Sequence, residues 1–138
     1  HQLAGSKCVY EIHGTTHKNY CASCGERVGE NYIFETTGIP RCPKCGGMIR
    51  PQVTLYEEGL PEDAVRGAVD VIRKAGTLIV AGTSLNVYPA ASYVYEFRGN
   101  HLIVLNKEPL HVQLNQEKDL FIEAAMGQVF VALEDALF

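Results

Sequence analysis

Four cysteines carry the clearest chemistry in the sequence. Cys21 and Cys24 form one C-x-x-C pair, Cys42 and Cys45 form a second, and residues 25–41 separate them. Each C-x-x-C turn aims two soft thiolates at one point, and two such turns complete a tetrahedral Zn²⁺ shell. Gly25, Gly46 and Gly47 follow the pairs, where the chain must reverse sharply. A shell closed by four thiolates leaves no open position for water or substrate, so the expected metal is structural. It would fix a segment too short and too polar to fold unaided. Two disulfides or a pair of redox dithiols are the competing readings, and an intracellular composition disfavours the first. His17 is a fifth metal candidate, but four cysteines already fill the shell. Cys8 is left over; its neighbours Val9 and Tyr10 suggest a core strand and a buried, inert thiol.

Two polar segments and one histidine are the other candidates. Gly82-Thr83-Ser84 and Asn106-Lys107-Glu108 each follow a short apolar run. In an open α/β sheet, ligands bind beyond the carboxyl ends of the strands, and glycine, hydroxyl, amide and carboxylate groups there suit a nucleotide. The plainer alternative is a pair of polar strand-ending turns. His13 stands in Glu11-Ile12-His13-Gly14-Thr15, at the end of an apparent strand. Its ring can take a proton near neutral pH, and the following glycine leaves room for a substrate. A structural histidine is the alternative.

The elements that must position these groups are α/β in pattern. Pro61, Glu62 and Asp63 open a helix, with Ala64, Val65, Ala68, Val69 and Ile72 on one apolar face, Arg73 and Lys74 at its end, and Gly76 as its stop. Leu78-Ile79-Val80-Ala81 then reads as a strand covered on both faces. A second helix is expected from Pro89 to near Gly99, with Ala90, Ala91, Val94 and Tyr95 inward. Leu102 to Leu105 is a second buried strand, so strand–helix–strand order implies a parallel pair. A short strand near 120–122 and a last helix, roughly Met126 to Leu137, follow. The expected fold class is thus α/β: a partial, Rossmann-like parallel-sheet domain from 1–16 and 52–138, with a zinc-ribbon module inserted at 17–51.

Composition narrows the function classes. The chain has 138 residues, 46% of them hydrophobic, so a real core is available. Twelve basic residues against sixteen acidic ones give a formal net charge of −4, without the basic surplus that drives nucleic-acid binding. No apolar run approaches the ~20 residues that span a bilayer. No charged-then-apolar leader opens the chain, which suggests a cytoplasmic protein. His1 in place of Met indicates that the sequence does not begin at a native translation start.

Taken in order, these segments resemble the sirtuins, the NAD-dependent protein deacylases. His1-Gln2-Leu3-Ala4-Gly5 is similar to the tail of the family's Thr-Gln-Asn-Ile-Asp-x-Leu-His-x-x-Ala-Gly motif, and Glu11 to Gly14 to its catalytic-histidine motif. The paired cysteines resemble its zinc module. Arg50-Pro51 through Leu60-Pro61 resembles its substrate segment, although Thr54 stands where the family usually has Val, Tyr56 where it has Phe, and Glu57 where it has Gly. Gly82-Thr83-Ser84-Leu85-Asn86-Val87-Tyr88-Pro89-Ala90-Ala91 resembles the family signature almost throughout. The family's Gly-Ala-Gly-Ile-Ser loop and Gln-Asn-Ile-Asp residues would precede His1, so the sequence corresponds to about the C-terminal half of such a protein and would be inactive by itself.

The resemblance implies NAD-dependent removal of an acyl group, acetyl foremost, from lysines of a protein or peptide partner, giving nicotinamide and O-acyl-ADP-ribose. It assigns His13 as general base, and Gly82, Thr83, Ser84, Asn106, Glu108 and Met126 to NAD. Thr54, Tyr56 and Val87 fall to the acyl-lysine substrate, and Cys21, Cys24, Cys42 and Cys45 to zinc. The peptide would add as a strand between the segments around Thr54 to Glu58 and Asn86 to Tyr88. ADP-ribosyl transfer, which also begins by expelling nicotinamide, and a non-catalytic zinc-binding module are the alternative functions.

Overall fold

A computed structural model describes residues 1–137. The chain divides into two compact units, His1–Val65 and the residues from Arg66 on.

The first unit is an antiparallel sheet of order β2-β1-β3, built from β1 (Gly14–Cys21), β2 (Arg27–Val28) and β3 (Ile49–Val53), with one short helix, α1 (Glu30–Glu35). Cys21 pairs with Ile49 at one end of the β1–β3 ladder and Gly14 with Val53 at the other. The register slips between Thr15 and Asn19, opposite Gln52 and Pro51. Pro51 has no N–H to give to a ladder, and a bulge is where a strand tolerates it. Asn19, the one buried polar residue among those described, donates from Nδ2 to the Thr16 carbonyl at 3.1 Å and so holds the bulged turn. The small core is Cys21, Cys42 and Ile49, flanked by Val28, Tyr32 and Ile33. Its hydrocarbon is scant, as expected of a segment that relies on a metal.

The second unit is a parallel sheet of order β4-β5-β6, formed by β4 (Thr77–Ala81), β5 (His101–Asn106) and β6 (Leu120–Glu123). It carries most of α2 (Glu62–Lys74), a 3₁₀ helix (Ala90–Glu96) and α3 (Met126–Leu137). Val94, Leu102 and Val104 form its core, with Val104 fully buried. Arg73 near the end of α2 pairs with Glu96 of the 3₁₀ helix at 2.9 Å.

The parallel pair, the α2 boundaries and the last strand and helix agree with expectation; other local features do not. Residues 8–10 lie in a loop outside the strands of the described residues, and Cys8 is exposed there. The helix after Pro89 is a 3₁₀ helix that stops at Glu96, short of Gly99. Ala91 and Val94 are its buried residues, while Tyr95 is 52% exposed: the three-residue turn swings it off the inward face. Strand β4 is not covered on both faces, since Ile79 is 51% exposed. It is one of the two edge strands of this sheet, and β5 holds the protected central place. No helix is long and apolar enough to cross a membrane among the described residues.

Asp119 fastens the connection into β6. Its carboxylate accepts from the Leu102 N–H at 2.9 Å and from the Asn115 N–H at 2.8 Å. The Leu102 amide first, then the Asn115 amide, hold this carboxyl below its ordinary value of 3.8. A carboxyl with a lower pKa folded than unfolded contributes stability that is in place above the ordinary range and is lost as pH falls through the folded value. Thermal unfolding of Asp119→Asn should therefore lie below wild type at neutral pH, with the difference shrinking on acidification below about pH 4. A difference constant from pH 7 to pH 3 would remove this role.

Candidate functional site

The two cysteine turns are built alike. In the first, the Gly25 N–H donates to the Cys21 carbonyl and the Cys21 N–H to the Glu26 carbonyl; in the second, Gly46 donates to Cys42 and Cys42 to Gly47. The Ala22 N–H donates to the Met48 carbonyl, and this bond joins the turns. All four Sγ atoms lie within 4.8 Å of one another, with Cys21–Cys45 at 3.5 Å, Cys24–Cys42 at 3.7 Å and Cys24–Cys45 at 3.3 Å. Zn–S bonds of 2.3 Å in a tetrahedron set sulfurs about 3.8 Å apart, so the donor set and its spacing fit zinc.

Electrostatics point the same way. Burial pushes the Cys21 thiol up, but the Cys24 and Ser23 amides outweigh it and bring it down to about 6. The Gly47 amide draws the Cys45 thiol down, yet its hydrogen bonds to the Cys24 and Cys21 sulfurs prevail and raise it to about 12. Four adjacent sulfurs do not all ionise without a cation among them. His17 is outside this cluster, with Nδ1 paired to Glu30; that carboxylate raises its pKa.

His13 occupies a turn just ahead of β1, not the end of a strand. Its side chain is exposed. The Gly14 N–H closes the turn on the Glu11 carbonyl at 2.8 Å, and the Thr54 N–H donates to the His13 carbonyl at 3.0 Å. The β1–β3 ladder thereby sets His13 beside Thr54, 41 positions later. Gly14 is needed here for a reason other than substrate room. Its φ is +77°, and a Cβ would stand 1.9 Å from the Gln52 carbonyl oxygen. Tyr56 projects from the same segment with 97% of its surface exposed.

The second unit contains a cavity of about 680 Å³ at the carboxyl ends of its strands. Gly82, Thr83, Ser84, Asn106, Glu108 and Met126 all line it. Strand register explains the convergence: Ala81 pairs with Leu105 and Leu105 with Ile122, so the three chains leave the sheet at one level. The Gly82 N–H extends the ladder to the Leu105 carbonyl at 2.9 Å, and Asn106 Nδ2 donates to the Glu108 carbonyl at 2.9 Å. Gly82 has φ +62°, and a Cβ would fall 2.8 Å from Met126 Sδ. This is a cradle that only glycine leaves open. Val87, exposed, lies in the same unit.

Lys107 of the candidate segment 106–108 lines this cavity too, as does Leu85, which the reading of polar segments leaves out. Leu85 has φ +52°, and its N–H donates to Thr83 Oγ1 at 3.1 Å. A hydroxyl two residues ahead of an amide is the turn signal that would have marked it.

A parallel Rossmann-like sheet accompanied by a four-cysteine zinc ribbon is the sirtuin fold. Residues 1–89 match the profile of the Sir2 family, and the chain belongs to that family. It is similar to the NAD-dependent protein deacetylase of Clostridium perfringens (strain 13 / Type A), 48% identical over 130 residues, which are 94% of this chain and 52% of that protein. A solved structure of Sir2 with a p53 peptide and NAD+ matches with a TM-score of 0.84 at 31% identity, over 99% of this chain and 58% of that one. A Sir2 complex with the inhibitor EX-527, 2′-O-acetyl-ADP-ribose and a deacetylated p53 peptide matches with a TM-score of 0.84 at 30% identity, over 99% and 59%. The chain spans about half the length of the curated relatives it matches.

Removing one sulfur tests the metal centre. Cys21→Ser should lose stoichiometric zinc, measured by elemental mass spectrometry, and should lose structure in the first unit, measured by amide exchange at residues 19–21, 49 and 50. Zinc-free protein with wild-type exchange protection would show that the metal is not structural.

Proposed function

We propose that the protein containing this chain is an NAD-dependent lysine deacylase, acting on acetyl-lysine in a protein or peptide and yielding nicotinamide and O-acyl-ADP-ribose. The observation that carries the reading is the exposed imidazole of His13 held by backbone hydrogen bonding next to Thr54. A proton acceptor is thereby fixed at the head of the segment that resembles an acyl-peptide site. The relatives' names and the peptide, NAD+ and acetyl-ADP-ribose of the solved Sir2 complexes support it.

In this reading NAD supplies an activated sugar carbon to which the acyl oxygen is transferred as nicotinamide departs. The residues of the chain bind and move protons. Gly82, Thr83 and Ser84 bring a close backbone and hydroxyls to the nucleotide, Asn106 and Glu108 bind ribose hydroxyls, and Met126 flanks the adenine. Thr54, Tyr56 and Val87 contact the acyl-lysine. A Thr54 hydroxyl near an acyl chain favours a short acyl group over a long one, because a buried hydroxyl needs a partner. His13 is the general base for a ribose hydroxyl. Zinc has no place in the chemistry; with four thiolates it holds the first unit's fold. Thiolates available for zinc suit a reducing compartment such as the cytoplasm.

In a protein of the relatives' full length, His13→Ala should lower deacylation by a factor of about 10² to 10⁴, the range of a general base, with NAD affinity near wild type. Mass spectrometry of the peptide should show loss of the acyl group. Gain of ADP-ribose would move the protein to the transferase class, and wild-type turnover in His13→Ala would remove the histidine from catalysis.

A further inference from the structure

Between β3 and α2 the backbone makes a turn that its own residues do not favour. The Glu58 N–H donates to the Leu55 carbonyl at 3.1 Å, closing a turn over Leu55, Tyr56, Glu57 and Glu58. Glu57, in its third position, has φ +69°. That is left-handed backbone, suited to glycine and strained for a residue with a side chain. Such a conformation persists where surrounding contacts over-determine it.

The contacts come from Arg50 and Glu58. The Arg50 guanidinium donates from Nη1 to Glu58 Oε1 at 2.7 Å and from Nη2 to Oε2 at 2.9 Å, a fork-to-fork pair. Nη2 also donates to the Val53 carbonyl at 3.2 Å, and Glu58 Oε2 accepts the Leu55 N–H at 3.0 Å. The guanidinium lies 5.9 Å from the centroid of the Tyr20 ring, which anchors it over β1. One ion pair thus ties both ends of the turn to the sheet. The Arg50 hydrogen bonds, then the Leu55 amide, hold the Glu58 carboxyl at about 2, so the pair stays charged across the physiological range.

We propose that Arg50 and Glu58 are positioning residues for the acyl-lysine substrate: their clamp holds the left-handed turn at Glu57 and so fixes where Thr54 and Tyr56 stand. Tyr56 has no packing of its own to locate it, since its side chain is almost wholly exposed. Its place is set by the backbone alone. The role in substrate positioning rests on the deacylase reading; the clamp itself does not.

The test uses a protein of the relatives' full length. Glu58→Gln should raise KM for an acetyl-lysine peptide about five- to tenfold, as for a half-exposed charged hydrogen-bond pair, with KM for NAD and kcat within about twofold of wild type. Adding Glu57→Gly, which occupies the left-handed region without strain, should bring peptide KM back toward wild type. Amide exchange at Leu55 and Glu58, which needs no turnover, should quicken in Glu58→Gln. Unchanged peptide KM, or a rise in NAD KM equal to that for peptide, overturns the positioning role. Unchanged amide exchange overturns the clamp. Quickened exchange in a protein whose wild type removes no acyl group supports the clamp and sinks the deacylase reading alone.

Discussion

The pairing of β1 with β3 is the constraint on which the first unit depends. One ladder carries Cys21 opposite Ile49 at one end and Gly14 opposite Val53 at the other. The thiolate cluster is therefore not remote from the histidine turn in a mechanical sense; both are ends of the same pair of strands. A metal held by the four cysteines at one end would fix the strands' register, and register decides which backbone group meets the His13 carbonyl. A slip by one residue would turn every side chain to the other face. The bulge held by Asn19 sits between the two ends, where Pro51 gives no amide to the ladder.

The second unit reaches convergence by different means. Parallel strands end at one level because their hydrogen bonds are evenly spaced, so loops far apart in sequence emerge together. The cavity there is made by what the loops lack as much as by what they bear. Gly82 leaves the volume a Cβ would take from Met126, and α3 begins at Met126 immediately beside it. Polar side chains from two loops then face a common space. This is the general property of open α/β sheets that makes their carboxyl edge a binding edge.

Much of this was legible in order along the chain. The cysteine spacing is a local signal, because a C-x-x-C turn is set by its own few residues, and the sulfurs do cluster. Helix α2 shows its boundaries through Pro61, its acidic start and its basic end, all of which act within one turn. The misplaced features are those decided by neighbours. Cys8 looked buried from flanking apolar residues, but burial needs an element to pack against. Tyr95 looked inward on a 3.6-residue period, and the chain took a three-residue one. Ile79 sits in an apolar run, yet on an edge strand.

By itself the sequence determined the donor set for a metal, the α/β pattern and the Sir2 motifs, since each is carried by residue type and short spacing. The tertiary structure decided which of those groups meet. His13 and Thr54 come together only through strand pairing, and the candidate residues of the loops after β4 and β5 meet Met126 only through parallel register. Arg50 and Glu58 became a clamp only because the turn between them brought two charged ends into forked contact. Spacing along a chain encodes turns and helical faces, whereas contacts between distant residues depend on how backbone hydrogen bonds are shared between strands.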